Sequence, residues 1–304
     1  MRSLLSKAKT WPATQHVLFA FLLLLSVLAF WAPLQNLTRF ALEHDWGTHI
    51  FFVVPLSLYV IYLERKDIFS GRQPSPVLGS ILLLVSAISA WLVHLVSPAA
   101  SSLSLQILTL VMFWLSAFLF CYGLEAFSRG RFGLIFLLLL VPIPEFIVDK
   151  AIFWLQGGSA AVAYWLLRLF GVPTMREGFT LHLPALDLEV EKECSGIRSS
   201  LVLVVTTLVA GHFVLRSFWS KSLLLLAIIP IVIFKNGVRI VSIALLTLYV
   251  NRAFLHGWLH RSGGIVFYLL GLLALWPVVK LLRKLEELEL PKKAAILSAQ
   301  VPLS

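Results

Sequence analysis

Long apolar runs separated by short clusters of charge recur along this 304-residue chain. Stretches such as "SILLLVSAISAWLVHLV" (80–96) and "SLLLLAIIPIVIF" (222–234) carry no Lys, Arg, Asp or Glu. A backbone surrounded by hydrocarbon must satisfy its own N–H and C=O groups, which leaves helices or closed barrels. Runs approaching the roughly 20 residues of a membrane helix, without strand-like alternation, select helices. Composition agrees: 59% of residues are hydrophobic and 13% charged, and the mean hydropathy is +0.91. A soluble domain carries about a quarter charged residues. The expectation is an all-α polytopic membrane protein. Its two cysteines, Cys121 and Cys194, give neither a disulfide framework nor metal-ligand spacing, so no metal and no cofactor is expected.

Eight spans are expected, at approximately 16–35, 49–64, 77–97, 103–124, 132–149, 197–215, 222–245 and 263–282. The segment 151–170, "AIFWLQGGSAAVAYWLLRLF", reads as an interfacial amphipathic helix because of Gln156, Gly157, Gly158 and Arg168. No internal repeat or low-complexity linker divides the chain. The organisation is a basic cytoplasmic amino terminus (1–15), one transmembrane domain (16–285) and a cytoplasmic tail (286–304). The net charge of +10 sits in clusters between apolar runs, a topology signal rather than a nucleic-acid surface. With eight spans and the amino terminus inside, one side receives 15 Lys and Arg against 6 Asp and Glu, and the other 10 against 9. That bias puts both termini in the cytoplasm and the region around Cys194 on the outer, periplasmic side of an inner (plasma) membrane protein.

The largest non-spanning region runs from about 143 to 196. Pro142 and Pro144 are placed to end the fifth span there. Within it, "FTLHLPALDLEVE" alternates apolar and polar residues and changes frame at Pro184-Ala185. A short β-hairpin, Phe179–Leu183 paired with Leu186–Val190, is expected on the membrane face.

Three positions carry chemistry. Cys194 stands where this polar region meets the sixth span, and a thiol near a helix amino terminus gains thiolate character. Cys121, mid-span in "FLFCYGL", is a small hydrophobe with no role. In the seventh span, "FKNGVRIVS" places Lys235, Asn236 and Arg239 in a stretch otherwise fit for lipid. A membrane guanidinium costs about 2.5–3.5 kcal/mol on insertion scales, so it either snorkels to the surface or faces a polar interior. Asn236 and Arg239 are three residues apart and share a helix face, which favours the interior. Before the eighth span, "HGWLHRSGGIVFY" offers His260, with Gly263 and Gly264 permitting close approach of another backbone. A thiol, a guanidinium and an imidazole from three consecutive spans combine a nucleophile, an anion stabiliser and a proton-transfer group.

In this order "ECSGIRSS", "NGVR" and "HRSGG" resemble the exosortase/archaeosortase family, whose pattern is a Cys in C-S-G-x-R-S, an Arg in N-x-x-R and a His in H-x-x-x-G. The resemblance runs from about His44 to about Leu282. It departs before the second span, where members present a Ser-His-Gly-type stretch and this chain reads "DWGTHIFF"; His44 and His49 receive no catalytic role. The resemblance implies a membrane cysteine protease and transpeptidase with Cys194, Arg239 and His260 as catalytic residues. Ser195, Arg198 and Asn236 are supporting residues. It implies substrates that are secreted proteins ending in a sorting motif of Pro-Glu-Pro type, a transmembrane helix and a basic tail. Two other readings are open on the residues alone, and a third, a membrane thiol oxidoreductase, is disfavoured because it needs a second cysteine close by and Cys121 stands in the fourth span. One is a transporter with Lys235, Asn236 and Arg239 lining an anion path, which the near absence of charge in the other spans disfavours. The other is a non-catalytic assembly subunit of a surface polysaccharide export system, in which Cys194 is inert.

Overall fold

The computed structural model describes residues 13–70, 74–96, 103–184, 186–192, 196–255 and 264–299. The chain divides at Pro144/Glu145 into two compact units. The first contains α1 (Ala13–Ala29), α2 (Trp31–Glu43), α3 (Ile50–Ile68), α4 (Pro76–Val96), α5 (Leu103–Arg129) and α6 (Arg131–Phe136). A 3-10 turn, Leu137–Leu140, follows α6. The second contains α7 (Glu145–Leu169), strands β1 (Met175–Glu177), β2 (Thr180–Leu183) and β3 (Leu186–Glu189), then α8 (Ile197–Val214), α9 (Phe218–Tyr249) and α10 (Gly264–Ala299).

The described residues are mostly helical with one small sheet, and among them five helices are long and apolar enough to cross a bilayer individually. The number rises to seven if each of two helix pairs with a short break counts as one span, so the expected eight are not all recovered. The reasons are local. The first expected span is α1 and α2, which meet at a 73° bend. The second is α3, whose uncharged stretch ends at Leu63 before Glu64, Arg65, Lys66 and Asp67, short of the roughly 20 residues a crossing needs. The fifth, 132–149, is interrupted at 141–144, where Pro142 and Pro144 supply no N–H to a helical ladder. Residues 151–170, expected as a separate segment, are continuous with Glu145 in α7. That helix is amphipathic in its packing: Val148, Ile152, Gln156, Ser159, Ala160, Ala163 and Leu167 are buried on one face. Phe153, Trp154 and Trp165 are exposed on the other.

In the first unit, α4 and α5 pack at backbone distance. A Cβ on Gly79 would lie 2.4 Å from the Phe120 Cα. Helix α5 breaks its regular dihedrals at Gly123, whose φ of 83° and ψ of 171° are open to glycine but not to side-chain-bearing residues. Around the break, Phe19, Phe69, Phe118 and Tyr122 stack edge to face, and His16 Nδ1 lies 2.8 Å from the Tyr122 hydroxyl. Cys121 is buried in the same apolar cluster, as its sequence context indicated.

The second unit is built on α9. The sheet is antiparallel in the order β1-β2-β3, with Leu181 opposite Leu188 and Leu183 opposite Leu186. The expected hairpin is β2 and β3, with the turn beginning at Pro184; β1 is a third strand that the pattern did not reveal. It pairs across the turn at Gly178, whose φ is +60°. Alternation buries Leu181, Leu183 and Leu188 against Ala160, Ala163 and Leu167 of α7 and Ile240, Val241 and Ala244 of α9. His182 points to the other face, with Nδ1 2.8 Å from Asp187 Oδ1. At the opposite end of α9, Glu286 of α10 caps the α8–α9 connection: its carboxylate accepts the N–H groups of Arg216 (3.0 Å) and Ser217 (2.7 Å). Small residues again set the closest helix contact, because a Cβ on Gly237 would meet Val162 Cγ1 at 2.5 Å. Among the described residues, no atom lies within 4 Å of a Cβ built on Gly264, and Gly263 lies outside them.

Two stability predictions follow from these contacts. Gly79→Ala, which must push apart two backbones, lowers stability in detergent by about 1–3 kcal/mol. Gly157→Ala, whose new methyl would sit 3.6 Å from the Phe179 ring, is close to neutral. Thermal unfolding of the two purified variants reads the difference. Glu286→Ala, which leaves two backbone donors uncapped, costs about 1 kcal/mol in the same assay.

Candidate active site

Helix α8 begins from a residue that only glycine suits. Gly196 has φ +75° and ψ 14°, a left-handed conformation. A Cβ there would also lie 2.9 Å from Asn236 Oδ1, so the side chain of α9 sits directly against the backbone that starts α8. The Gly196 carbonyl accepts hydrogen bonds from the hydroxyls of Ser199 (3.0 Å) and Ser200 (2.7 Å) one turn along the helix.

Beneath this start lies a layer of buried polar side chains drawn from three helices. Asn236 is 1% exposed, and its Nδ2 donates to Ser159 Oγ of α7 at 3.1 Å. Lys235 is 2% exposed and donates to Ser199 Oγ of α8 at 2.6 Å. Its aliphatic stem runs past Gly271 of α10, where a Cβ would be 3.3 Å from Lys235 Cδ. Arg239 follows one helical turn after Lys235 and is partly buried. Lys235 therefore does not snorkel; its ammonium is held inside the bundle, where a polar group must find a partner.

The segment leading to the first residue of α8 is fixed from the other direction by α7. Gln156, buried, donates from Nε2 to the Val190 carbonyl at 2.7 Å. Lys192 Nζ lies 3.2 Å from Asp149 Oδ1 in an exposed ion pair, of the kind that contributes little to stability. The chain between these anchors and Gly196 carries Cys194.

Of the sequence-derived residues, the structure brings Asn236 against Gly196 and places Arg239 on the same helix one turn from Lys235. Arg198 is exposed, on the flank of α8 rather than in the buried layer. Cys194 and Ser195, and His260, lie outside the described residues. Gln156, Ser159, Ser199 and the inward course of Lys235 were not anticipated. Reading the buried positions of α7 at helical spacing, 148, 152, 156, 159, 163 and 167, would have put Gln156 and Ser159 on the packed face. Among the described residues, no group of three or more His, Cys, Asp or Glu is disposed to hold a metal.

A family model described as Transmembrane exosortase (Exosortase_EpsH) matches residues 41–277. Neither the curated proteins nor the solved structures contain a match. The family match takes in both units, the sheet, and the polar layer at the start of α8. Since it covers most of its length, the chain belongs to the transmembrane exosortase family, the membrane transpeptidases of protein sorting.

Proposed function

We propose that this protein is a cysteine endopeptidase and transpeptidase that cleaves the carboxy-terminal sorting signal of secreted proteins through a thioester on Cys194. The observation that carries the reading is the seating of Lys235 and Asn236 of α9 against the first turn of α8, with Arg239 one turn further along α9. Cys194 precedes that residue by two positions, so the intervening chain spans at most about 7 Å. We infer that a thiol so tethered feels the helix amino terminus and the positive charge of Lys235 and Arg239, surroundings that favour the nucleophilic thiolate.

In the reaction, Cys194 Sγ attacks the scissile carbonyl carbon and the carbonyl π electrons move to oxygen. Arg239 stabilises that oxyanion. As the intermediate collapses, the C–N bond breaks and His260 gives a proton to the leaving amine, leaving a thioester. His260 then takes the proton of the acceptor as it attacks, and Cys194 departs as thiolate. An amine or hydroxyl acceptor completes a transfer; water completes a hydrolysis. Asn236, holding Gly196 from below, keeps the start of α8 in place while the bond geometry changes. Ser195 and Arg198 border the nucleophile in sequence.

The topology suits the substrate form that the family resemblance implies. With the positive side of the chain inward, a basic tail stays in the cytoplasm, the substrate's helix packs beside the bundle, and its sorting motif reaches the periplasmic face of the inner membrane. The partners are such secreted proteins and the lipid bilayer.

Processing of a secreted protein with a sorting motif, terminal helix and basic tail, followed by immunoblot in membranes, tests this. Cys194→Ala and His260→Ala abolish processing, and Arg239→Ala lowers it by at least about 100-fold, while each variant inserts normally. Cys121→Ala processes as the natural chain does. Full processing by Cys194→Ala would end the reading.

A further inference from the structure

Lys235 is the least expected member of the polar layer. It is a lysine 2% exposed within the 32-residue, largely apolar helix α9. Its ammonium donates to Ser199 Oγ at 2.6 Å, and Ser199 in turn donates to the Gly196 carbonyl at 3.0 Å. Two hydrogen bonds in series thus join a buried cation to the backbone two residues after Cys194. The stem passes Gly271, where an added Cβ would lie 3.3 Å from Lys235 Cδ and 3.2 Å from Leu203 Cδ2. A larger residue at 271 would displace Lys235.

We propose that Lys235 is a positioning residue of the nucleophile: through Ser199 it holds the backbone turn at Gly196 and keeps the field at the start of α8 positive, so that Cys194 is ionised near neutral pH. This rests on the reading of Cys194 as the nucleophile. The charged and titratable neighbours on the packed elements are few. Arg239 is one turn along α9, and its charge acts in the same direction as that of Lys235. Helix α8 contributes Arg198, which is exposed. On α10, Tyr268 lies 2.8 Å from the Thr206 hydroxyl of α8. The residues of α7 that reach this layer, Gln156 and Ser159, are neutral. Lysine serves here where methionine would fill the same volume, because a neutral side chain would neither donate to Ser199 nor oppose loss of the thiolate.

The test is the pH dependence of Cys194 alkylation by iodoacetamide, a neutral reagent, in the full-length protein in nanodiscs on a Cys121→Ala background. The rate is followed by mass spectrometry of the modified peptide. Lys235→Met keeps the length and apolar stem of the side chain and removes the charge. It moves the midpoint of the rate profile up by about one pH unit, the order expected for loss of a nearby unit charge at an effective dielectric of about 20. Ser199→Ala, which cuts the link and keeps the ammonium, moves it in the same direction by less. It also keeps the test decisive if Lys235→Met does not fold. An unchanged midpoint in the folded variants, with slower sorting activity, would reduce Lys235 to a packing role and overturn the inference. If the Cys121→Ala protein with all other residues native shows no alkylation at Cys194 beyond that of an ordinary exposed thiol, the nucleophile reading itself fails. The two failures are therefore separable.

Discussion

A polar side chain removed from water must find its partner inside the protein, and in this molecule that requirement organises the second unit. Helix α9 carries Lys235, Asn236 and Arg239 in the middle of a long apolar sequence. Ser199 of α8 and Ser159 of α7 answer the first two. Gln156 meets a carbonyl of the segment that leads out of the sheet. The Lys235–Ser199 and Gln156–Val190 bonds fasten the chain on either side of Cys194, and the Asn236–Ser159 bond joins α9 to α7. In the proposed reading the attacking residue belongs to a connection whose two ends are fastened to helices, which is what a positioned nucleophile needs.

Close helix packing makes the arrangement possible. Gly158 and Gly237 let α7 and α9 approach until a Cβ at either would touch side chains at 3.0 Å and 2.5 Å. At that separation the short hydroxyl of Ser159 reaches Asn236. In a membrane, where lipid solvates apolar surface as well as protein does, small residues at such crossings supply the contact that the hydrophobic effect cannot. The sheet completes the unit by covering the apolar end of the α7–α9 pair, with Leu181 fully buried and His182, Asp187 and Glu177 turned outward.

Much of this was legible in the sequence, and for identifiable reasons. Apolar runs announce helices because lipid permits few alternatives, and the frame change at Pro184 located the turn between β2 and β3. The shared face of Asn236 and Arg239 follows from helical periodicity. Span counting was less secure because prolines and charge clusters fall inside the runs: Pro142 and Pro144 split one, and Glu64 to Asp67 shorten another. The run "LQGGSAAVA" looked like a surface segment because it mixes Gln and Gly with Ala. In the structure, those small residues are the packed face of α7. Strand β1 is too short to alternate visibly, and tertiary bonds such as Lys235 to Ser199 depend on packing that no local pattern encodes.

The account depends on Cys194 and Arg239 occupying one site, and bridging their positions with a short reagent asks that question directly. In an Arg239→Cys, Cys121→Ala protein inserted in nanodiscs, dibromobimane is expected to join Cys194 to the new cysteine within one chain, giving a fluorescent product that mass spectrometry assigns to that pair. Separate labelling of the two thiols without a bridge would contradict it.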